Sequence, residues 1–298
     1  MKKIIFTVSV LFAFITANAQ KDFQGMAVYE SKTSTSDFKA RMEGNKDITP
    51  EMQKMIEERM KKMFEKTFIL NFDKSASIYK EEEKLETPGQ QGGGMRMMTS
   101  FMGGGGTYYK NVKDKSYTVD KEFMGKEFLV KDSLKTYNWR MEGETREIGG
   151  YMCYKATTVI PASKTDFRNF RAKKEGEKKD EAKSEENKEK KTSFLDELDL
   201  PKEITITAWY SPEIPINQGP EGYWGLPGLI LEVNDGKTTI LCSKIVLNAK
   251  EKADIKAPTN GKEVSQAEYD ETVTKKMEEM MEMNQGQGRG GMQIRMGR

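Results

Sequence analysis

The sequence predicts a mainly β fold: a single domain built on a curved antiparallel meander, half-barrel-like, with one or two Met-rich helices covering it. Three observations carry this. Short segments rich in Tyr, Thr, Val and Ile recur at close intervals and are joined by turn residues. Most of the intervals between them hold no helical period, so neighbours in sequence should pair antiparallel. Two further stretches, starting at Thr49 and Ser265, place apolar residues, most of them methionine, at helical spacing.

Taken in order, the chain opens MKKIIFTVSVLFAFITANAQ, with Lys2 and Lys3 before an apolar run from Ile4 to Ile15 and the small residues Ala17-Asn18-Ala19. This pattern reads as a secretory signal peptide over 1–19. The run is about a dozen residues, where a membrane span needs roughly 20. No cysteine follows the cut, which argues against a lipid on the mature amino terminus. The mature chain is therefore expected to be exported, to the periplasm or an outer-membrane-associated place, with no transmembrane segment.

From Gln24 the pattern alternates, Met26, Val28 and Glu30 against Ala27, Tyr29 and Ser31, which is a first strand. Thr49-Pro50-Glu51 then supplies an N-cap, a proline at the first helical position and an acid in the first turn. Met52, Met55, Ile56, Met60, Met63 and Phe64 follow as one apolar stripe, either a helix face covering the sheet or a Met-rich docking face. Strands are expected at 67–72, 76–80, 108–112, 116–119, 127–131, 137–148, 151–160 and 204–210. Asp73-Lys74-Ser75 and Lys113-Asp114-Lys115 are turns between them.

Two insertions interrupt the series. Residues 87–106 are glycine-rich with Met95, Met97, Met98 and Met102, and a charge-dense insertion spans 162–195. Neither can bury a core. The four methionines suit Cu(I), a soft ion, although no histidine or cysteine stands beside them.

Residues 214–231, IPINQGPEGYWGLPGLIL, combine prolines that fix φ with glycines that permit bends. Gly225-Leu226-Pro227-Gly228 fits a type II turn that would need positive φ at Gly228. Leu229 to Val233, the turn Asn234-Asp235-Gly236 and Thr238 to Val246 form a hairpin. The box Ser265-Gln266-Ala267-Glu268 starts the second helix, whose stripe runs through Tyr269, Val273, Met277, Met280 and Met281. The domain is set at 20–283, and the Gly/Arg-rich residues 284–298 read as a disordered tail.

Composition narrows function. The chain has 49 basic and 47 acidic residues, and the leader removes Lys2 and Lys3, leaving a mature charge near zero. That argues against nucleic acid as a partner. The absence of histidine removes the commonest general base and metal ligand, so no metal and no cofactor is expected. Cys153 and Cys242 form an even pair in an oxidising compartment, a candidate disulfide or two buried small residues.

The residues Gly225 to Ile230, preceded by Trp209-Tyr210, Ile214-Pro215 and Gly219-Pro220, resemble the GLPGLI family of exported proteins of Bacteroidetes-type bacteria, which has no assigned function. Trp139, Ile148, Gly150-Tyr151, Cys153 and Lys155-Ala156 fit a second block of that family. The resemblance covers roughly 24–34 and 137–247. It implies a β-rich envelope protein and no catalytic residues.

Two readings of function follow. The first is a noncatalytic cell-envelope protein that binds a partner protein or an apolar ligand through Trp209, Tyr210, Tyr223, Trp224, Leu226 and Pro227. The turn Gly225, Pro227 and Gly228 would present them. The alternative is a hydrolase using Glu213 and Glu221 as paired carboxylates, or a Cu(I)-binding protein through the Met-rich loop.

Overall fold

The computed structural model describes residues 23–36, 49–82, 106–163, 165, 171–172, 198–199, 201–249 and 252–288. The leader, almost all of the Met/Gly insertion, most of the charged insertion and residues 289–298 lie outside them. Among the described residues the protein is mainly β, with 51% strand, two helices and a twelve-stranded mixed sheet that does not close into a barrel.

The strands are β1 (Gln24–Thr33), β2 (Glu65–Asp73), β3 (Ala76–Glu81), β4 (Tyr108–Asn111), β5 (Ser116–Phe123), β6 (Lys126–Ser133), β7 (Arg140–Ile148) and β8 (Tyr151–Pro161). There follow β9 (Arg171–Ala172), β10 (Leu198–Asp199), β11 (Glu203–Ser211), β12 (Leu229–Asn234), β13 (Thr238–Leu247) and β14 (Lys262–Val264). The sheet runs β14-β6-β5-β4-β3-β2-β1-β13-β12-β11-β8-β7. Every pair in it is antiparallel except β14 with β6. That parallel pair departs from the expected pure meander, because the chain returns to the β6 edge after a long connection and not through a hairpin. β9 and β10 pair separately, at the ends of the segment read as a charged loop.

Local sequence explains the turns. Asp73 Oδ1 accepts from the Ser75 and Ala76 amides at 2.7 and 2.6 Å, and Asp235 Oδ1 accepts from Thr238 N at 2.6 Å. Period two explains the faces: Ala27, Tyr29, Leu70 and Phe72 are all buried, with Ala27 opposite Leu70.

The two helices differ. α1 (Pro50–Phe64) is capped by Thr49, whose Oγ1 accepts from Met52 N, and passes directly into β2. None of its described side chains is fully buried, and Met52 and Met55 are 43% and 47% exposed. α2 (Gln266–Gly288) does cover the sheet: Tyr269, Val273 and Met277 pack on Phe123, Phe128 and Val130. It runs to Gly288, past the tail boundary drawn at 284.

The curl of the sheet follows from long-range hydrogen bonds. β4 and β12 are five strands apart in order, about 24 Å if the sheet were flat. Yet the connection between β11 and β12 bonds to side chains of β3 and β4. The sheet must therefore fold around that connection.

Candidate functional site around the Trp-Tyr corner

β11 ends at Ser211, and residues 212–228 turn into the hollow of the curled sheet. Ile214 is wholly buried and Ile216 nearly so, both in the core cluster with Tyr29, Phe72 and Leu229. The segment builds its own backbone frame: Gly225 N donates to Asn217 O (3.1 Å), Leu229 N to Ile214 O (3.0 Å) and Ile230 N to Gln218 O (3.0 Å). Tyr29 Oη donates to Ile230 O at 2.7 Å.

Two polar residues of the sheet hold it from below. Ser77 Oγ donates to Gln218 Oε1 at 2.9 Å, with both residues buried. Lys110 is wholly buried, and its Nζ donates to the carbonyls of Gly219, Glu221 and Tyr223 at 2.8, 3.1 and 2.8 Å. Burial pushes this ammonium down to about 7, against the opposing pull of the Glu221 charge.

The aromatics interlock around the segment. Tyr108 stacks on Tyr117 with ring centroids 5.2 Å apart, and Tyr137 lies against both Trp139 (5.4 Å) and Tyr223 (5.5 Å). Trp139 Nε1 donates to Trp224 O, and Trp224 Nε1 donates to Lys135 O, each at 2.9 Å. Residues 134–139, which carry the chain from β6 at one end of the sheet to β7 at the other, are thus tied to the corner. Burial pushes the hydroxyls of Tyr108, Tyr117 and Tyr137 up.

Three of the six residues expected to form a binding face are therefore internal. Leu226 is wholly buried, Tyr210 nearly so, and Trp209 is 9% exposed beneath the Arg146 guanidinium, 4.2 Å from its ring centroid. Arg146 in turn pairs with Glu232. Tyr223 and Trp224 are half-buried, and only Pro227 is exposed. The outward apolar side chains nearby are Met141, Met152 and Tyr154, 50%, 46% and 39% exposed, on the β7–β8 hairpin. Met141 and Tyr154 connect through Tyr210, whose Oη lies 3.4 Å from Met141 Sδ and whose ring centroid is 6.1 Å from that of Tyr154.

The turn expectation needs correcting. Positive φ falls at Gly225 (+94°), and Gly228 is not among the glycines in that region. Gly228 is required for a different reason: a Cβ there would lie 2.2 Å from Ser211 O and 2.5 Å from Ser211 C, so the backbone passes too close for any side chain. The disulfide expectation fails as well. Cys153 and Cys242 are buried free thiols. Burial pushes the thiols up, to about 11 and about 12.

Glu213 and Glu221 have structural partners. Glu213 Oε1 accepts from Met152 N at 2.8 Å, and Glu221 sits beside Lys110 in a positive-φ conformation. Neither lines either of two clefts among the described residues, one of about 860 Å³ between α2 and the end of β8, the other of about 280 Å³ where β5, β6 and α2 meet. Among the described residues no group of three or more Cys, Asp or Glu could hold a metal, and the four loop methionines lie outside them.

Sequence reasoning missed Lys110, Ser77 and the Tyr108–Tyr117–Tyr137 cluster. A signal for Lys110 was present, since period two places it on the inward face of β4 with Tyr108 and Val112, where a lysine is out of place.

Residues 139–232 match a family model described as a protein of unknown function (Porph_ging), a span that includes the hexapeptide at 225–230. No curated protein matches. Solved structures of PNGF-II in two space groups are similar at 14% and 13% identity, with TM-scores of 0.44 and 0.45. In each case 84% of this chain is covered, and it spans about a third of the length of the PNGF-II chain, 32% and 33%.

Proposed function

We propose that this chain is an exported, noncatalytic cell-envelope protein of the GLPGLI type, and that its ligand is a partner protein. One observation carries the choice of protein over apolar ligand: the hollow of the sheet is filled by the chain's own residues 212–228, with Ile214, Ile216 and Leu226 buried in it. A carrier of apolar ligands needs that space empty. The outward cluster Met141, Met152 and Tyr154 instead has the Met and Tyr composition of an interface centre. The noncatalytic reading is supported by a chain without histidine and by the structural engagement of Glu213.

A photo-crosslinking amino acid at Tyr154 or Met152, expressed in the native envelope, tests the reading against the same group at Lys113 in the β4–β5 turn. A discrete protein adduct at the first two positions and none at the third is the expected result. A lipid recovered from the purified protein, with no adduct, would overturn it. Export is tested separately by the mass of the mature chain, which should begin at Gln20.

A further inference from the structure

We propose that the cleft of about 280 Å³ where β5, β6, β14 and α2 meet binds a small anionic amphiphile, a carboxylate on a short apolar body. Strand register builds its floor. Lys126, Phe128 and Val130 alternate along β6, Phe123 pairs with Lys126 across the β5–β6 hairpin, and β14 sets Lys262 beside Phe128 and Val264 beside Val130. These residues therefore share the face on which α2 packs. The two-residue turn Met124-Gly125 has positive φ at both positions, +51° and +74°, which fixes the hairpin register, and Met124 lines the cleft as well. α2 covers the row with Tyr269, Val273 and Met277, and its flank at Thr272 and Lys276 forms the other wall. The buried rings of Phe123 and Phe128, with half-buried Val264, thus lie under a rim of Lys126, Lys262 and Lys276.

Charge selects the head group. Glu263 stands opposite Leu129, on the other face of the strand pair, and is taken by Lys131. Lys276 is taken by Glu279. Glu268 accepts from both the amide and the hydroxyl of Ser265, and the Lys262 charge also acts on it. Among the described residues Lys126 and Lys262 make no ion pair, so the mouth holds two ammonium groups against one carboxylate that is already engaged. Lysines on such a rim line the wall with their stems and keep their heads in water, where they meet a carboxylate above a buried tail. The cleft equals about nine water volumes, room for about eight carbons. Entry is tail first, whereas a bilayer presents its head groups first, so the ligand is a free amphiphile and not a membrane surface. None of the lining residues belongs to 212–228, and the cleft sits on the first strands of the sheet order while Met141, Met152 and Tyr154 sit on the last two. The site therefore goes beyond the partner-protein reading and does not depend on it.

Octanoate is the probe, titrated into the purified protein and followed by amide chemical shifts. The signals of 123–128, 262–264 and 268–276 should move together and saturate with a Kd of about 1 mM or tighter. Octanol, which keeps the chain without the charge, and acetate, which keeps the charge without the chain, should each bind at least about tenfold more weakly, a comparison that needs no variant. Lys126→Gln combined with Lys262→Gln changes two exposed side chains, and should weaken octanoate about tenfold while leaving octanol unchanged. Vesicles of phosphatidylglycerol should leave the same signals in place. Octanol binding as tightly as octanoate, a double variant that binds octanoate like the parent, no saturation by about 10 mM, or vesicles that move these signals would each overturn the site.

Discussion

Gly228 and Gly225 separate two reasons for a glycine that look alike in sequence. Gly225 has positive φ, where a side chain costs about 1–2 kcal/mol, and the space around it is nearly open, with Trp139 Nε1 3.9 Å from a Cβ. At Gly228 the obstacle is the Ser211 backbone, which cannot swing aside as a side chain would. Gly228→Ala should therefore cost about 2–4 kcal/mol and Gly225→Ala about 1–2 kcal/mol, so thermal melts should rank Gly228→Ala well below Gly225→Ala. Equal melting temperatures would show that the 211–212 backbone yields. At Lys110 the stakes are polar, since Lys110→Met would leave three carbonyls without their donor, a loss of about 2–4 kcal/mol in a denaturant titration. Trp224→Ala removes the bond to Lys135 O but keeps the carbonyl that Trp139 uses, so it should destabilise by about 1–2 kcal/mol and leave the protein folded.

The two methionine stripes read the same along the chain and end in different places. Met277 on α2 is 4% exposed against the β5–β6 face, while Met55 on α1 is 47% exposed. Met277→Ala should cost about 2–4 kcal/mol by leaving a cavity, and Met55→Ala less than about 0.5 kcal/mol, both measured by chemical denaturation. The start of α2 is a capping box in which Ser265 N donates to Glu268 Oε2 at 2.8 Å and Glu268 N to Ser265 Oγ at 3.2 Å. The Ser265 amide first, and then the Ser265 hydroxyl, which donates to Glu268 Oε2 at 3.0 Å, hold the Glu268 carboxyl below its ordinary value. A depressed carboxyl stabilises above its unfolded pKa of 4.5 and loses that contribution as pH falls through its folded value. Helix content reporting on α2 should accordingly fray in acid below about pH 4.5 in the parent, and this acid step should be absent in Glu268→Gln.

Across the whole molecule, the curl of the sheet turns 212–228 from a surface loop into a core element, and it encloses both thiols. Because Cys153 and Cys242 are buried, free and pushed up to about 11 and about 12, a thiol reagent at pH 8 should label neither in the native protein on the time scale of labelling in denaturant. A reductant should leave the melting temperature unchanged. Rapid native labelling, or a drop in melting temperature with reductant, would place the cysteines in a looser or bonded arrangement. Most strands of this architecture were legible along the chain, as were the α2 box and the 234–236 turn, because each is written in period, caps and turn residues within a dozen positions. The β14–β6 pair was not, since three residues, Lys262 to Val264, carry no period of their own and pair across more than 130 positions.

The amino-acid pattern alone determined that strands would dominate, where most of them start and stop, and that 214–231 bends sharply before a hairpin. Those are local consequences of side-chain alternation and of backbone freedom at proline and glycine. Three-dimensional packing decided which way the bend points. Nothing within 212–228 says that its carbonyls will meet an ammonium from β4, about 110 residues earlier, or that Trp209, Tyr210 and Leu226 will be buried while Met141, Met152 and Tyr154 face out. Exposure is a property of what the rest of the chain covers, and a sheet that curls through five strands brings together residues whose separation in sequence carries no trace of their contact.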